Sequence, residues 1–158
     1  METELAILAS SGARAKFKSA AAAQMLADYC DRARRYVPLR IERFASEEKF
    51  FSAHSKPGPN RRAARLVLLD SRGKLLSSEA FAGWVGKQRD EGVQQLVFAI
   101  GPADGWSAHA YEKADLLLSL GPMTFPHELA AVVLAEQIYR AFTILEGHPY
   151  HLGHRILG

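Results

Sequence analysis

"QLVFAIG", residues 95–101, is the stretch from which the rest can be read. Five consecutive apolar residues, Leu96 to Ile100, run without a polar break, and Gly101 ends the run at once. A run this short and this continuous is a strand covered on both faces, and such strands belong to parallel sheets. "RLVLLD" (65–70) and "DLLLSL" (115–120) have the same character, and the second runs straight into Gly121. "ELAILAS" (4–10) reads as a further strand closed by Ser and Gly. "VPLRIERF" (37–44) alternates Leu39 and Ile41 with Arg40 and Glu42, which suggests one more.

Helical segments separate these strands. "FKSAAAAQMLADYCDRARRY" (17–36) is rich in Ala, with Met25, Leu26, Tyr29 and Ala33 at helical spacing. Ser77 or Ser78 can cap a helix running from Glu79 to about Glu91, where Gly92 ends it. Ser107 can cap the short helix "AHAYEKA". A long helix runs from 126 to about 145, with Pro126 in its first turn, where a missing N–H costs nothing. "SAHSKPGPNRR" (52–62) reads as a loop, and "SRGK" (71–74) as a turn that ends its strand. Strands alternating with helices predict an α/β fold: a mainly parallel sheet with helices on both faces. No internal repeat or low-complexity tract appears, so residues 1–158 are expected to form a single domain.

Composition narrows the function classes. Hydrophobic residues make up 48% and charged residues 23%, which suits a soluble globular domain with a real core. Cys30 is the single cysteine, so no intrachain disulfide can form, as fits a reducing compartment. No apolar run spans a bilayer, and no signal-peptide pattern opens the chain; a cytoplasmic protein without membrane contact is expected. The net charge of +3 is unevenly spread: residues 1–70 hold 13 Lys and Arg against 8 Asp and Glu, leaving 7 against 9 for the remainder. A basic first half suits phosphate contact, and equally a solvated basic surface.

In open α/β sheets ligands collect beyond the carboxyl ends of the strands. Those ends are Leu69-Asp70, Ile100-Gly101 and Leu120-Gly121. Glycine there lets the backbone approach a flat ligand closely, or simply turns the chain. "LGPMTF" (120–125) offers backbone groups and apolar side chains without charge, which suits an adenine ring better than a triphosphate. No P-loop and no G-x-G-x-x-G is present. Glu136 and Arg140 stand four apart in the favourable order. They read as a surface ion pair or as a contact with a second subunit or RNA. The tail "HPYHLGH" spaces His148, His151 and His154 three apart, which invites a metal reading. The i, i+4 spacing is missing and no Cys or acidic cluster accompanies them, so no metal is expected. With its Pro and Gly the tail is expected not to be helical. Tyr150 either packs it on the sheet or helps it line a reaction cleft.

"LLD-x-x-GK-x-LSSE" (68–79), "FAIG" followed by "DG" (98–105), "MTFPHELAAVVLAEQIYRAF" (123–142) and "HPYH" (148–151) resemble the large-subunit ribosomal RNA pseudouridine N3-methyltransferases. These are small enzymes of the SPOUT class, and the likeness is strongest from about 65 to 151. It implies a trefoil knot over about 65–151, an exception to the no-knot rule. It also implies a homodimer, S-adenosyl-L-methionine as cofactor, and large-subunit ribosomal RNA or the assembled ribosome as partner. By the resemblance, cofactor contacts fall on Leu69, Gly101, Leu120, Gly121, Pro122, Met123, Thr124 and Phe125. Tyr150 and His151 would lie near the target base, with His151 the first candidate for taking its proton and His127 the second. Arg140, Arg155 and His148 would meet RNA. The chain departs from the family pattern at Pro102, Ala131 and Leu152. Those departures keep an alternative open: a non-catalytic RNA- or ribosome-binding relative.

Overall fold

A computed structural model of the chain describes residues 1–9, 17–55, 59–60 and 62–154. Five strands form one sheet: β1 (Glu2–Leu8), β2 (Leu39–Phe44), β3 (Arg65–Leu75), β4 (Gln95–Ile100) and β5 (Leu116–Ser119). Their order is β2-β1-β4-β3-β5, and every pairing is parallel. The helices are α1 (Ala20–Ala33), α2 (Glu47–His54), α3 (Ser78–Asp90), α4 (Ala108–Lys113) and α5 (His127–Leu145), followed by a terminal 3-10 helix (Pro149–His154).

Side chains alternate across the sheet, and each face has its own core. Leu5, Ile7, Val67, Leu96, Phe98, Ile100, Leu116 and Leu118 pack with α1, α3 and α5. Ala6, Leu8, Leu66, Leu68, Val97 and Ala99 pack with α2 and α4. This double covering is why Leu5 to Ala9, in β1 and just past its end, and Leu96 to Ile100 of β4 read as unbroken apolar runs. On α5, Ala131, Leu134, Ala135, Ile138 and Phe142 recur at helical spacing and are buried. Serine caps four helices: Ser19, Ser46, Ser77 and Ser107 accept from the backbone N–H of Ala22, Lys49, Ala80 and Ala110.

Four expectations need correction. Residues 52–54 are not loop but the last turn of α2, capped at Ser46 and held by buried Phe50, Phe51 and His54. Pro126 is the residue before the first helical position of α5, one place earlier than expected. The tail is not irregular: it forms one short 3-10 helix, whose tighter winding suits so short a segment. "SRGK" does not end β3. Leu69 and Lys74 both stand opposite Leu118, so residues 70–73 bulge out and the chain returns to the same partner strand. Asp70 shapes the bulge by accepting the backbone N–H of Arg72 on Oδ1 at 2.8 Å.

Gly73 is what lets the bulged chain come back. A Cβ on it would lie 2.6 Å from the carbonyl carbon of Leu117 and 2.8 Å from that of Leu118. Both are backbone atoms of β5, so only separation of the strands could relieve the clash. Gly73→Ala is expected to destabilise the protein by about 2 kcal/mol and lower Tm by about 6 °C. Thermal unfolding followed by circular dichroism checks this.

Candidate active site

The carboxyl ends of β4 and β5 and the bulge of β3 between them converge on a two-lobed cavity. The larger lobe, about 430 Å³, is walled by Leu69 to Ser71, by Ile100 to Ala103, by Gly105 and Trp106, and by Thr124 to His127 with Ala130. The smaller, about 200 Å³, shares Leu69 to Ser71, Thr124, Phe125 and Ala130 and adds Leu120, Gly121 and Met123. The larger lobe alone falls within the roughly 300–1,000 Å³ typical of small-molecule sites. The strand ends singled out from sequence therefore meet at one place. Of the expected cofactor residues, Leu69, Gly101, Leu120, Gly121, Met123, Thr124 and Phe125 line it; Pro122 lies in the same loop without lining it.

Local hydrogen bonds hold the walls. Gly121 has φ +129°, a conformation that favours glycine, and its N–H donates to Ser119 Oγ at 3.0 Å. The Ser119 hydroxyl also lies 3.2 Å from the carbonyl of Ser71 and 3.1 Å from that of Gly121, tying the β3 bulge to the loop after β5. His127 Nε2 lies 3.1 Å from the Gly101 carbonyl, so the ring donates there and is already engaged with the cavity wall.

Asp70 and Trp106 line the cavity, and neither was singled out as a site residue from sequence. Asp70 contributes the one carboxylate, its side chain only 8% exposed. Burial pushes its carboxyl up, but hydrogen bonds from Tyr111, at 2.6 Å, and from Arg72 outweigh burial and hold it below the ordinary range. The carboxylate is thus held ionised and paired with Arg72 at the cavity wall. Its position directly after Leu69 was a usable signal; nothing local marked Trp106.

The tail residues gather elsewhere. The Tyr150 hydroxyl donates to Glu136 Oε1 at 3.0 Å, its ring packs 4.6 Å from that of Tyr139, and the Arg140 guanidinium lies 5.1 Å from its centre. Burial and the Glu136 carboxylate push the Tyr150 phenol up to about 12. Glu136 and Arg140 do form an ion pair, Nε to Oε1 3.0 Å, but it is largely buried beneath Tyr150 and not a solvated surface pair. The His148 ring meets Tyr36 edge-on at 6.5 Å, and His151 Nδ1 lies 3.2 Å from the His148 carbonyl. Glu136 stands nine residues beyond His127, about 13 Å along the helix axis. Within one chain, then, Tyr150 is held well away from the cavity. Arg155 lies outside the described residues. Among the described residues no group of His, Cys, Asp or Glu is placed to hold a metal ion, and no helix is long and apolar enough to cross a membrane.

Comparisons with known proteins agree with this geometry. A probable methylase family protein from Haemophilus influenzae Rd KW20 shares the fold, with a TM-score of 0.53 at 8% identity over 96% of this chain and 69% of that one. The ribosomal RNA large subunit methyltransferase H of Koribacter versatilis (strain Ellin345) is 49% identical over 139 residues, covering 88% of this chain and 94% of the relative. A protein of the same name from Brucella ovis is 54% identical over 94 residues, covering 60% of this chain and 56% of the relative. The family model described as "Predicted SPOUT methyltransferase" matches residues 12–151. With strand ends, cavity and sequence in accord from 12 to 151, the chain belongs to the SPOUT methyltransferase family.

Proposed function

We propose that the chain uses S-adenosyl-L-methionine to methylate N3 of a pseudouridine in large-subunit ribosomal RNA, acting as a homodimer in the cytoplasm. The observation that carries this reading is the cavity: backbone groups of three strand ends, apolar side chains and one carboxylate. The names of the relatives support the RNA substrate. In this reading residues 1–158 are one domain, tied as a trefoil knot over about 65–151.

The residues present fit the cofactor. Gly101 is half-buried with Trp106 filling the space a side chain would take, so it offers the cavity its backbone alone. Leu69, Gly101 and the loop from Leu120 to Phe125, including Pro122, would hold the adenosyl end. S-adenosyl-L-methionine, when bound, supplies a methyl group on a sulfonium, already a strong donor. The protein's part is alignment and proton removal.

His151 is the group assigned to the proton. Its Nδ1–H donates to the His148 carbonyl, which leaves Nε2 with a lone pair for the N3 proton of the target base. Tyr150 keeps its proton across the neutral range and donates it to Glu136, so it is not the base; its phenol oxygen can accept a hydrogen bond at the target base. His127, bonded to Gly101, holds the cavity wall instead. Because Tyr150 is held on Glu136 and neither it nor His151 lines the cavity of its own chain, the two act in the site of the partner subunit. Arg140, Arg155 and His148 then meet the RNA phosphates.

The alternative, a non-catalytic RNA- or ribosome-binding relative, rests on Pro102, which lines the cavity but offers no N–H. Ala131 does not favour it, being fully buried in the core of α5. Isothermal titration of the full chain with S-adenosyl-L-methionine, with mass mapping of large-subunit RNA from a deletion strain, separates the two. Binding together with a missing methyl group is the expected result. Binding with unchanged RNA modification supports the alternative, and a folded protein that does not bind the donor sinks the enzyme.

A further inference from the structure

Trp106 is 8% exposed and sits between β4 and α4, yet it joins three parts of the molecule. Its indole N–H donates to the Leu69 carbonyl at 2.9 Å. A Cβ on Gly101 would lie 2.6 Å from its Cε2 and 2.8 Å from its Nε1, so the backbone of Gly101 runs against the ring. Leu69 precedes the bulge of β3 and Gly101 follows the last residue of the adjacent β4, and both line the larger lobe. One indole therefore spans the β3 bulge and the end of β4 and sets how far apart they stand.

The ring is itself gripped from the opposite side. Phe50 and Phe51 of α2 lie 6.0 and 6.5 Å from it, centre to centre. The next residue, Ser107, donates its backbone N–H to Glu47 of α2 at 2.9 Å, and its hydroxyl bonds the same carboxylate. With its only polar atom spent on Leu69, Trp106 presents an apolar edge to the cavity.

We infer that Trp106 is a positioning residue of the donor site, fixing the Leu69–Gly101 spacing into which a purine ring enters. The inference rests on reading the cavity as the donor site. Losing the indole N–H frees the Leu69 carbonyl while an aromatic ring still fills the space.

The test uses S-adenosylhomocysteine as probe and three full-length proteins: wild type, Trp106→Phe and Trp84→Phe. Trp84 is the other tryptophan, on α3 in the opposite layer, so each variant keeps a single indole. Trp106→Phe is expected to weaken probe binding about tenfold. In turnover with the methyl donor it is expected to raise KM by a similar factor with kcat nearly unchanged. The probe should change the emission of Trp84→Phe, which reports Trp106 in an intact fold, and leave that of Trp106→Phe flat. Wild type that does not bind the probe overturns the donor-site reading and this inference together. Wild type that binds, with unaltered affinity in Trp106→Phe or no emission change in Trp84→Phe, overturns this inference alone.

Discussion

His151→Ala is expected to slow methyl transfer by about two orders of magnitude and to leave donor affinity within about twofold of wild type. The split follows from placement. His151 lies on the terminal 3-10 helix and is absent from the lining of the cavity, so the donor is not expected to feel its loss. Its Nδ1–H is held by the His148 carbonyl, which leaves Nε2 for the proposed role of proton acceptor. On that proposal, removing it would force the imide proton of the target base to leave to water. Steady-state kinetics with a large-subunit RNA substrate, alongside donor titration, reads both quantities.

The same variant reports whose site the tail serves. Gly101→Val, where the added side chain meets Trp106, is expected to lose donor binding. Mixed with His151→Ala and allowed to exchange subunits, it should restore about a quarter of wild-type activity, since in a symmetric dimer half the pairs are mixed and each has one intact site. No recovery would place the tail in its own subunit's site.

Glu4→Ala is expected to destabilise the fold by about 3 kcal/mol, the cost of leaving buried polar groups without their hydrogen-bond partner. Tm should fall by about 10 °C. Glu4 sits on β1 at 1% exposure. Its Oε2 accepts from Arg40 Nε and Nη2, at 3.0 and 2.8 Å, and from Gln95 at 3.4 Å. Its Oε1 lies 2.9 Å from His54 Nε2, while His54 Nδ1 lies 2.7 Å from the Phe50 carbonyl. Both ring nitrogens face oxygens, so His54 links Glu4 of β1 to the Phe50 carbonyl of α2. Arg40 is more than half exposed and its bond is screened by solvent. The cost lies with buried His54, left without a partner, and with α2, which His54 anchors to the sheet.

This contribution has a definite pH dependence. Burial pushes the Glu4 carboxyl up, but His54 and Arg40 outweigh it and hold the folded value below the ordinary one. A carboxylate depressed by folding stabilises above its unfolded pKa, about 4.3. That stabilisation is lost as pH falls through the folded value. The gap between wild type and Glu4→Ala should therefore be full at neutral pH and shrink only in acid. Chemical denaturation at a series of pH values measures it; a gap that is already small at pH 7 contradicts the assignment.

The sequence alone determined the strands, most of the helices and the place where the site lies. Leu96 to Ile100 must be continuous because both faces are covered, and Gly101 and Gly121 mark where the backbone stops needing side chains. Serine caps and helical spacing are equally local. Helix α2 was missed because its eight residues carry adjacent phenylalanines instead of a periodic stripe, beside a segment rich in Pro and Gly. The continuation of β3 past "SRGK" was missed because a turn and a bulge use the same residues; only the pairing of Lys74 with Leu118 distinguishes them. Tertiary structure alone decided that Trp106 bridges Leu69 and Gly101, that His54 serves Glu4 fifty residues away, and that Tyr150 folds back on Glu136. Periodicity and capping act within one turn of chain and are written in neighbouring residues. Buried hydrogen bonds between distant residues depend on how whole layers stack, and no local pattern encodes that.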